Sequence, residues 1–285
     1  MTAFDDDLMP DLAAERVFYA AGALLTEDDF RTEQRYHRGR LGRVLAYLHG
    51  AGTIAGLDLR VEPPSGGGAE IRVSPGIAID RLGRLIELPY EACLGIARWY
   101  EQQLETELAR DRLDAAFRAG SGGAPDHVVV DVFARFIACA REPQPAFADT
   151  GADNLNGIQP SRILDAVRLS LVLRHRDDDL AAINPRPEGP AAVDADGIRR
   201  FKREQLWQAL QLEQQDPPRL PLGPEHVPLL HDGSEVLLGR VRIPSLREPG
   251  ELPRFDPNQP ARFDEDVRLY AYAARELALL HGLDR

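Results

Sequence analysis

The spacing of apolar residues changes abruptly at Gly50 and Gly52, and this change limits the folds that the chain can adopt. Before it, positions on one helical face recur every three or four residues, at Phe30, Gln34, His37, Leu41, Val44 or Leu45, and Leu48. Thr26 offers a capping hydroxyl, and the acidic residues after it suit the positive end of a helix dipole. The pattern predicts a helix that begins after Thr26, ends at Gly50 and is about 35 Å long.

After this helix the pattern becomes strand-like. Short runs rich in Ile, Leu and Val alternate with Pro and Gly turns, which predicts a compact antiparallel β unit over residues 53–88. Within it, Asp80 and Glu87 flank Arg81 and Arg84. We favour pairing of these carboxylates with the arginines across a hairpin. A carboxylate pair for acid–base chemistry is the alternative.

The rest of the chain alternates between the two periods. Helices are predicted over residues 90–119 and 196–215 and from the acidic run 264–266 onward, and strands over 127–140, 163–173 and 236–243. The three strands can pair into one sheet with helices packed on it. The predicted fold class is α+β: an N-terminal arm and long helix, a small antiparallel β unit, then a mixed sheet with packed helices.

This pattern predicts three parts of the chain. They are an N-terminal arm (1–25), the long helix with the β unit (26–89), and an α+β domain (90–285) with irregular loops at 142–160, 177–195 and 244–260. The arm lacks strong periodicity but carries apolar residues, so we expect it to lie on another surface, which another chain could provide.

Charge and hydropathy exclude several partners. The 285 residues contain 34 Lys and Arg against 46 Asp and Glu, a net charge of −12 that disfavours nucleic acid. No apolar run approaches the roughly 20 residues that span a bilayer, so membrane insertion is not expected. The N-terminus does not resemble a signal peptide, so we expect the chain to be cytoplasmic at synthesis. Arginines gather at 31–43, which predicts a basic first helix in an acidic protein.

Motifs for catalysis, cofactors and metals are mostly absent from the sequence. It contains no nucleophile elbow, zinc-protease motif, paired Cys-x-x-Cys or phosphate-binding loop, so we predict no catalytic residue, cofactor or metal ligand. His226 and His231, beside Asp232, could meet in a hairpin and bind a metal. Because Pro224, Pro228 and Gly233 surround them, we favour an ordinary polar turn.

The segments 18–37 and 48–57 form the most distinctive stretch of the sequence, together with Val73-Ser74-Pro75-Gly76-Ile77-Ala78-Ile79-Asp80 and Gly83-Arg84-Leu85-Ile86-Glu87-Leu88. These motifs resemble a little-characterised family encoded in bacterial clusters for phage tail-like contractile injection particles. The resemblance is specific over residues 18–88 and looser at 160–163 and 236–243.

The resemblance implies a structural particle component, at or near the baseplate, whose partners are other particle subunits and further copies of itself. On this view the arm and the long helix contact neighbouring subunits, and the β unit docks a neighbour. The predicted interface residues are Phe18, Tyr19, Leu24, Leu25, Arg31, Arg35, Tyr36, Arg38, Arg81 and Arg84. Two alternatives stay open: a hydrolase carried by the particle that uses Asp80, Glu87 or Asp131, and an adaptor or chaperone that leaves after assembly.

Overall fold

The computed structural model describes residues 3–4, 15–62, 69–145, 158–178, 194–215, 219–220, 222, 225–227, 230–273 and 276–277. The helices over these residues are α1 (Glu27–His49), α2 (Ile96–Gln103), α3 (Glu107–Ala116) and α4 (Ala195–Glu213). The strands are β1 (Ala3–Phe4), β2 (Gly52–Gly56), β3 (Leu59–Glu62), β4 (Glu70–Val73), β5 (Gly76–Ile79), β6 (Leu85–Leu88), β7 (Ala92–Gly95), β8 (Phe117–Arg118), β9 (His127–Pro145), β10 (Ile158–Leu173), β11 (Val236–Leu246), β12 (Arg254–Phe255) and β13 (Arg262–Asp264). Residues 1–2 and 5–14 of the predicted N-terminal arm and the centres of the first two predicted loops lie outside the described residues.

The predicted long helix is confirmed as α1. Its N-terminus is a capping box, in which the Thr26 amide donates to Asp29 Oδ2 at 2.7 Å and the Asp29 amide donates to Thr26 Oγ1 at 3.4 Å. Gly50 ends the helix with a φ of 72°, a conformation that favours glycine. The predicted helix in the segment 196–215 is also confirmed, as α4.

The predicted antiparallel β unit is confirmed as two three-stranded sheets. One has the order β2-β5-β6 and the other β3-β4-β7. The strand β7 lies beyond the predicted end of the unit, so the predicted helix from residue 90 onward is wrong at its start. Residues 92–95 pair with β4 instead, and the Ile96 amide donates to the Ala69 carbonyl at 3.0 Å.

The rest of that predicted helix is divided into α2 and α3. The division comes at Thr106, whose hydroxyl accepts a hydrogen bond from the Ala109 amide at 3.2 Å and so starts a new helix. Residues 117–118, predicted as helical, form β8 and pair with the start of β9. The long-range pairing at both ends overrides the helical period of the sequence.

The large sheet is built around β9. It pairs with β8 and β10 along one edge and with β11 and β1 along the other, so the predicted association of three strands in one sheet is confirmed. A mixed sheet was expected, and every described ladder in it is antiparallel. The strands extend beyond their predicted ends, so residues 142–145, 158–160 and 244–246 are strand and not loop.

The predicted C-terminal helix is wrong over residues 264–273. This segment contains the end of β13 and then runs beside β2, where the Thr53 amide donates to the Leu269 carbonyl at 2.8 Å and the Ala271 amide donates to the Thr53 carbonyl at 2.9 Å. The backbone groups that a helix would pair internally are therefore used in contacts with the β unit. In the middle of the segment, the buried side chain of Arg268 donates to the carbonyls of Leu57 and Leu238.

One core joins the β unit to the large sheet. Alternate side chains of β9 lie in a single cluster of buried residues with side chains of β3, β4, α2 and β11. One alternate set of β10 side chains packs against the same cluster: Val167, Leu169, Leu171 and Leu173. The other face of β9 is also covered, since Asp131 and Phe133 are fully buried. His226 and His231 pack against Phe133 on that second face.

Candidate functional site

Four apolar side chains on one face of α1 are exposed, and Gln34 and His37 lie on the same face between the first of them and the other three. Phe30, Leu41, Val44 and Leu48 lie within about 60° around the helix axis and extend along about 27 Å of it. Their exposed fractions are 56%, 62%, 53% and 69%. Gly42 is the one buried residue of this 23-residue helix. An amphipathic helix normally buries such side chains, so in the described part of the chain α1 presents an uncovered apolar surface.

Close backbone contact joins α1 to the β unit at Gly42. A Cβ atom on Gly42 would lie 2.7 Å from the Leu82 carbonyl oxygen, and one on Gly83 would lie 1.8 Å from the Gly42 carbonyl oxygen. Further along, Arg43 pairs with Glu213 at the end of α4 at 2.9 Å. The contact leaves the opposite side of the helix exposed.

The N-terminal arm adds further exposed apolar side chains. Phe18, Tyr19 and Leu24 are strongly exposed, and Leu25 is exposed to a lesser degree. The Val17 amide donates to Glu33 Oε2 at 3.3 Å, which holds the arm beside α1. These arm residues and the exposed face of α1 together form what we call the arm–helix surface.

The predicted interface arginines divide into two groups. Arg31, Arg35 and Arg38 lie on α1 and are exposed. Arg31 pairs with Glu27 in the helix, and Tyr36, half-buried, lies beneath Arg40 at 5.8 Å. Arg81 and Arg84 do not join them. Both lie in the turn between β5 and β6, where Arg81 forms an ion pair with Glu225 and Arg84 forms one with Asp80.

The predicted pairing of Asp80 with arginine is confirmed. Its carboxylate accepts hydrogen bonds from the Arg84 side chain at 2.5 Å and from the Leu82 and Arg84 amides at 2.9 and 2.8 Å. Burial raises the pKa of this carboxyl, and the Arg84 guanidinium partly opposes that effect. Glu87 is exposed and lies on β6, across from Ile77. The two carboxylates therefore do not share a site.

Asp131 is also held by arginines. On β9 it accepts two hydrogen bonds from the Arg240 guanidinium, at 2.7 and 3.1 Å, and Arg174 Nε lies 3.4 Å away. Both of its oxygens are thus engaged within a fully buried ion pair. This geometry gives no support to a role as general acid or base.

A second candidate site lies where the segment before β11 crosses β9. His226 and His231 meet there, and their ring centroids are 5.2 Å apart. A metal site, the alternative considered from the sequence, needs the two rings to be this close. The carboxylate beside them belongs to Glu235, while Asp232 pairs with Arg135 and Ser234. One ligand atom from each of His226, His231 and Glu235 lies within 4.8 Å of the other two.

Local turns and one aromatic ring produce this arrangement. The amides of Leu230 and His231 donate to the Val227 carbonyl, which keeps His231 close to the residue that follows His226. Gly233 has a φ of 87°, a conformation that favours glycine, in the turn that leads from His231 to Glu235. Both rings pack on Phe133 of β9, at centroid distances of 6.0 and 4.4 Å. The sequence offered no signal for Phe133 or Glu235, because both depend on the register of the sheet.

The cluster is buried and incompletely hydrogen-bonded. His231 Nδ1 lies 3.4 Å from Glu235 Oε2 but not in hydrogen-bonding geometry. Both ring nitrogens of His231, and Oε2 of Glu225 and of Glu235, have no hydrogen-bond partner among the described residues. Burial lowers the pKa of His226, and the neighbouring Glu225 carboxylate partly opposes that shift.

A cavity of about 610 Å³ opens beside this cluster. Its lining includes both histidines and Glu235 together with the side chains of Arg112, Arg135, Arg168, Arg174, His175 and Asp178. Arg135 and Arg174 are already paired with carboxylates, so Arg112 and Arg168 are the positive groups of this wall that can attract an anion.

No protein-family model matches the chain, and the comparison with curated proteins found no match. Among the described helices, none is long and apolar enough to cross a bilayer. The described residues of the protein thus offer two candidate sites: the arm–helix surface, and the buried cluster of His226, His231 and Glu235 beside the cavity.

Proposed function

We propose that this protein is a structural subunit of a contractile phage tail-like injection particle, at or near its baseplate, and that it acts through protein–protein contacts. The observation that carries the proposal is the uncovered apolar face of α1. Monomeric proteins rarely leave a large group of apolar side chains in contact with water, and such groups mark protein interfaces.

The arm–helix surface coincides with the most distinctive motif of the sequence. The resemblance to the injection-particle family is specific over residues 18–88, which include the arm, α1 and the β unit that supports α1. The exposed arginines of α1 flank its apolar face, so an acidic surface on a neighbouring subunit is the complementary partner. Particle subunits meet repeatedly under symmetry, and further copies of this chain are therefore partners as well.

The test uses particles purified from cells that carry the native gene cluster. We expect mass spectrometry to find the protein at a fixed ratio to the other particle subunits. Leu41→Glu with Leu48→Glu places two charges on the apolar face, and we expect this double variant to be lost from the particle. The matched control is Leu108→Glu on α3, since Leu108 is 62% exposed and lies outside the arm–helix surface.

Circular dichroism of the purified variants separates loss of binding from loss of folding. Equal incorporation of the double variant and the control would contradict the proposed interface. Absence of the wild-type chain from intact particles would support the adaptor or chaperone, which leaves after assembly.

A further inference from the structure

The buried cluster of His226, His231 and Glu235 lies apart from the arm–helix surface and calls for a different explanation. We infer that these three side chains bind one divalent transition-metal ion, for which zinc is the best match. A fourth coordination position then faces the cavity and accepts water or a small anion. This site is independent of the proposed assembly role.

The spacing of the donor atoms suits tetrahedral coordination. Zinc binds histidine nitrogen and carboxylate oxygen at about 2.0–2.2 Å, so two ligands of a tetrahedral site lie roughly 3.4 Å apart. His231 Nδ1 and Glu235 Oε2 are 3.4 Å apart. The remaining pairs lie within 4.8 Å, which small side-chain rotations can shorten.

Burial and missing hydrogen bonds distinguish this cluster from an ordinary polar turn. His231 is 8% exposed, and neither of its ring nitrogens has a hydrogen-bond partner in the described part of the chain. Glu235 is similarly buried, and its Oε2 is also without a partner there. Leaving such atoms unpaired costs free energy, and a shared metal ion would satisfy them together.

The surroundings of the three side chains match the outer shell of a metal site. His226 Nε2 lies 3.1 Å from the Glu235 carbonyl oxygen and its Nδ1 lies 3.4 Å from Glu225 Oε1, so polar groups of neighbouring residues orient the ring beside the other two ligands. Metal-bound histidines commonly donate their second ring hydrogen to a carbonyl or a carboxylate. Arg135 lies 3.4 Å from Glu235 Oε1, which leaves Oε2 for the metal.

The donor set selects the class of metal. Two imidazoles and one carboxylate favour zinc and similar transition metals, whereas magnesium and calcium prefer sites made of oxygen atoms. Three protein ligands with one open position are typical of zinc sites that exchange a water or ligand. Because Arg112 and Arg168 also line the adjacent cavity, the fourth position suits a small anion as well as water.

The test measures zinc binding to the full-length chain. Chelator-treated protein is titrated with zinc chloride in a calorimeter, and we expect one ion per chain. His231→Gln and Glu235→Gln should each weaken binding by more than the roughly 10- to 100-fold that loss of an outer-shell partner causes. The matched control is His175→Gln, because His175 is exposed and lines the same cavity but lies outside the cluster. It should bind zinc as the wild type does.

Failure of the wild type to bind zinc would overturn the inference, as would equal binding by the control and the two cluster variants. If a variant does not fold, two spectroscopic measurements on the wild-type chain still test the site. Cobalt(II) in place of zinc should give the intense visible absorption of four-coordinate cobalt. X-ray absorption at the zinc edge should show two imidazole ligands, and a site without imidazole would contradict the assignment.

Discussion

Arg268 is the residue on which the junction between the β unit and the large sheet depends. Its fully buried guanidinium donates to the carbonyls of Leu238 at 2.6 Å and Leu57 at 3.0 Å, and to Gly56 at 3.2 Å. A fourth hydrogen bond, at 2.6 Å, goes to Glu265. One side chain thus joins β11, the turn between β2 and β3, and the C-terminal segment.

Replacing this side chain with an apolar one of similar length tests that role. We expect Arg268→Met to lower the free energy of unfolding by about 3–5 kcal/mol, because it leaves several buried carbonyls without donors. Urea denaturation followed by circular dichroism measures the change. Arg262→Met is the control, since Arg262 is exposed on β13, and it should change stability by no more than about 0.5 kcal/mol. Equal effects of the two substitutions would contradict the role given to Arg268.

At the scale of elements, α1 depends on glycine for its contact with the rest of the protein. In an exposed helix interior, Gly→Ala stabilises by up to about 1 kcal/mol, because alanine has the higher helix propensity. At Gly42 we expect the opposite sign. The added methyl group would meet the Leu82 carbonyl at 2.7 Å, so Gly42→Ala should destabilise by about 1–3 kcal/mol or release α1. Thermal unfolding and hydrogen exchange over α1 measure both effects, and a gain in stability would show that the helix is not held at this point.

The same elements show how far local sequence signals reach. The capping box at Thr26 and the turns of the β unit are made by neighbours in the chain, so α1 and the antiparallel β unit could be predicted from sequence. Residues 264–273 could not, because their backbone pairs with Thr53 and their direction is set by Arg268. Contacts far apart in sequence outweigh a helical period of apolar residues.

The buried cluster was predictable only in part for the same reason. The short spacing of His226 and His231 suggested that the two rings could meet. The carboxylate that joins them is Glu235 and not the adjacent Asp232, because a turn directs Asp232 to Ser234 and Arg135. The position of Phe133 beneath both rings follows from the strand register of β9, which local patterns do not specify.

At the scale of the whole molecule, the core crosses the predicted boundary between residues 89 and 90. The strand β7 lies after the boundary and completes a sheet with β3 and β4, which lie before it. The main cluster of buried side chains likewise includes Leu57 and Ile71 together with Val130 and Ile243. Neither side of the boundary keeps this core without the other.

The continuity of the core predicts that the segments 26–89 and 90–285 unfold together. Trp99 is buried in the shared core, while Trp207 is exposed on α4, so Trp207→Phe leaves one fluorescent reporter of the core. We expect its fluorescence and the far-ultraviolet circular dichroism to follow one coincident transition in urea. Two separated transitions would contradict this expectation, because they would mean that part of the secondary structure persists after the environment of Trp99 is lost. A cooperative core of this kind would let the β unit hold α1 in a fixed orientation while its apolar face remains open to a partner.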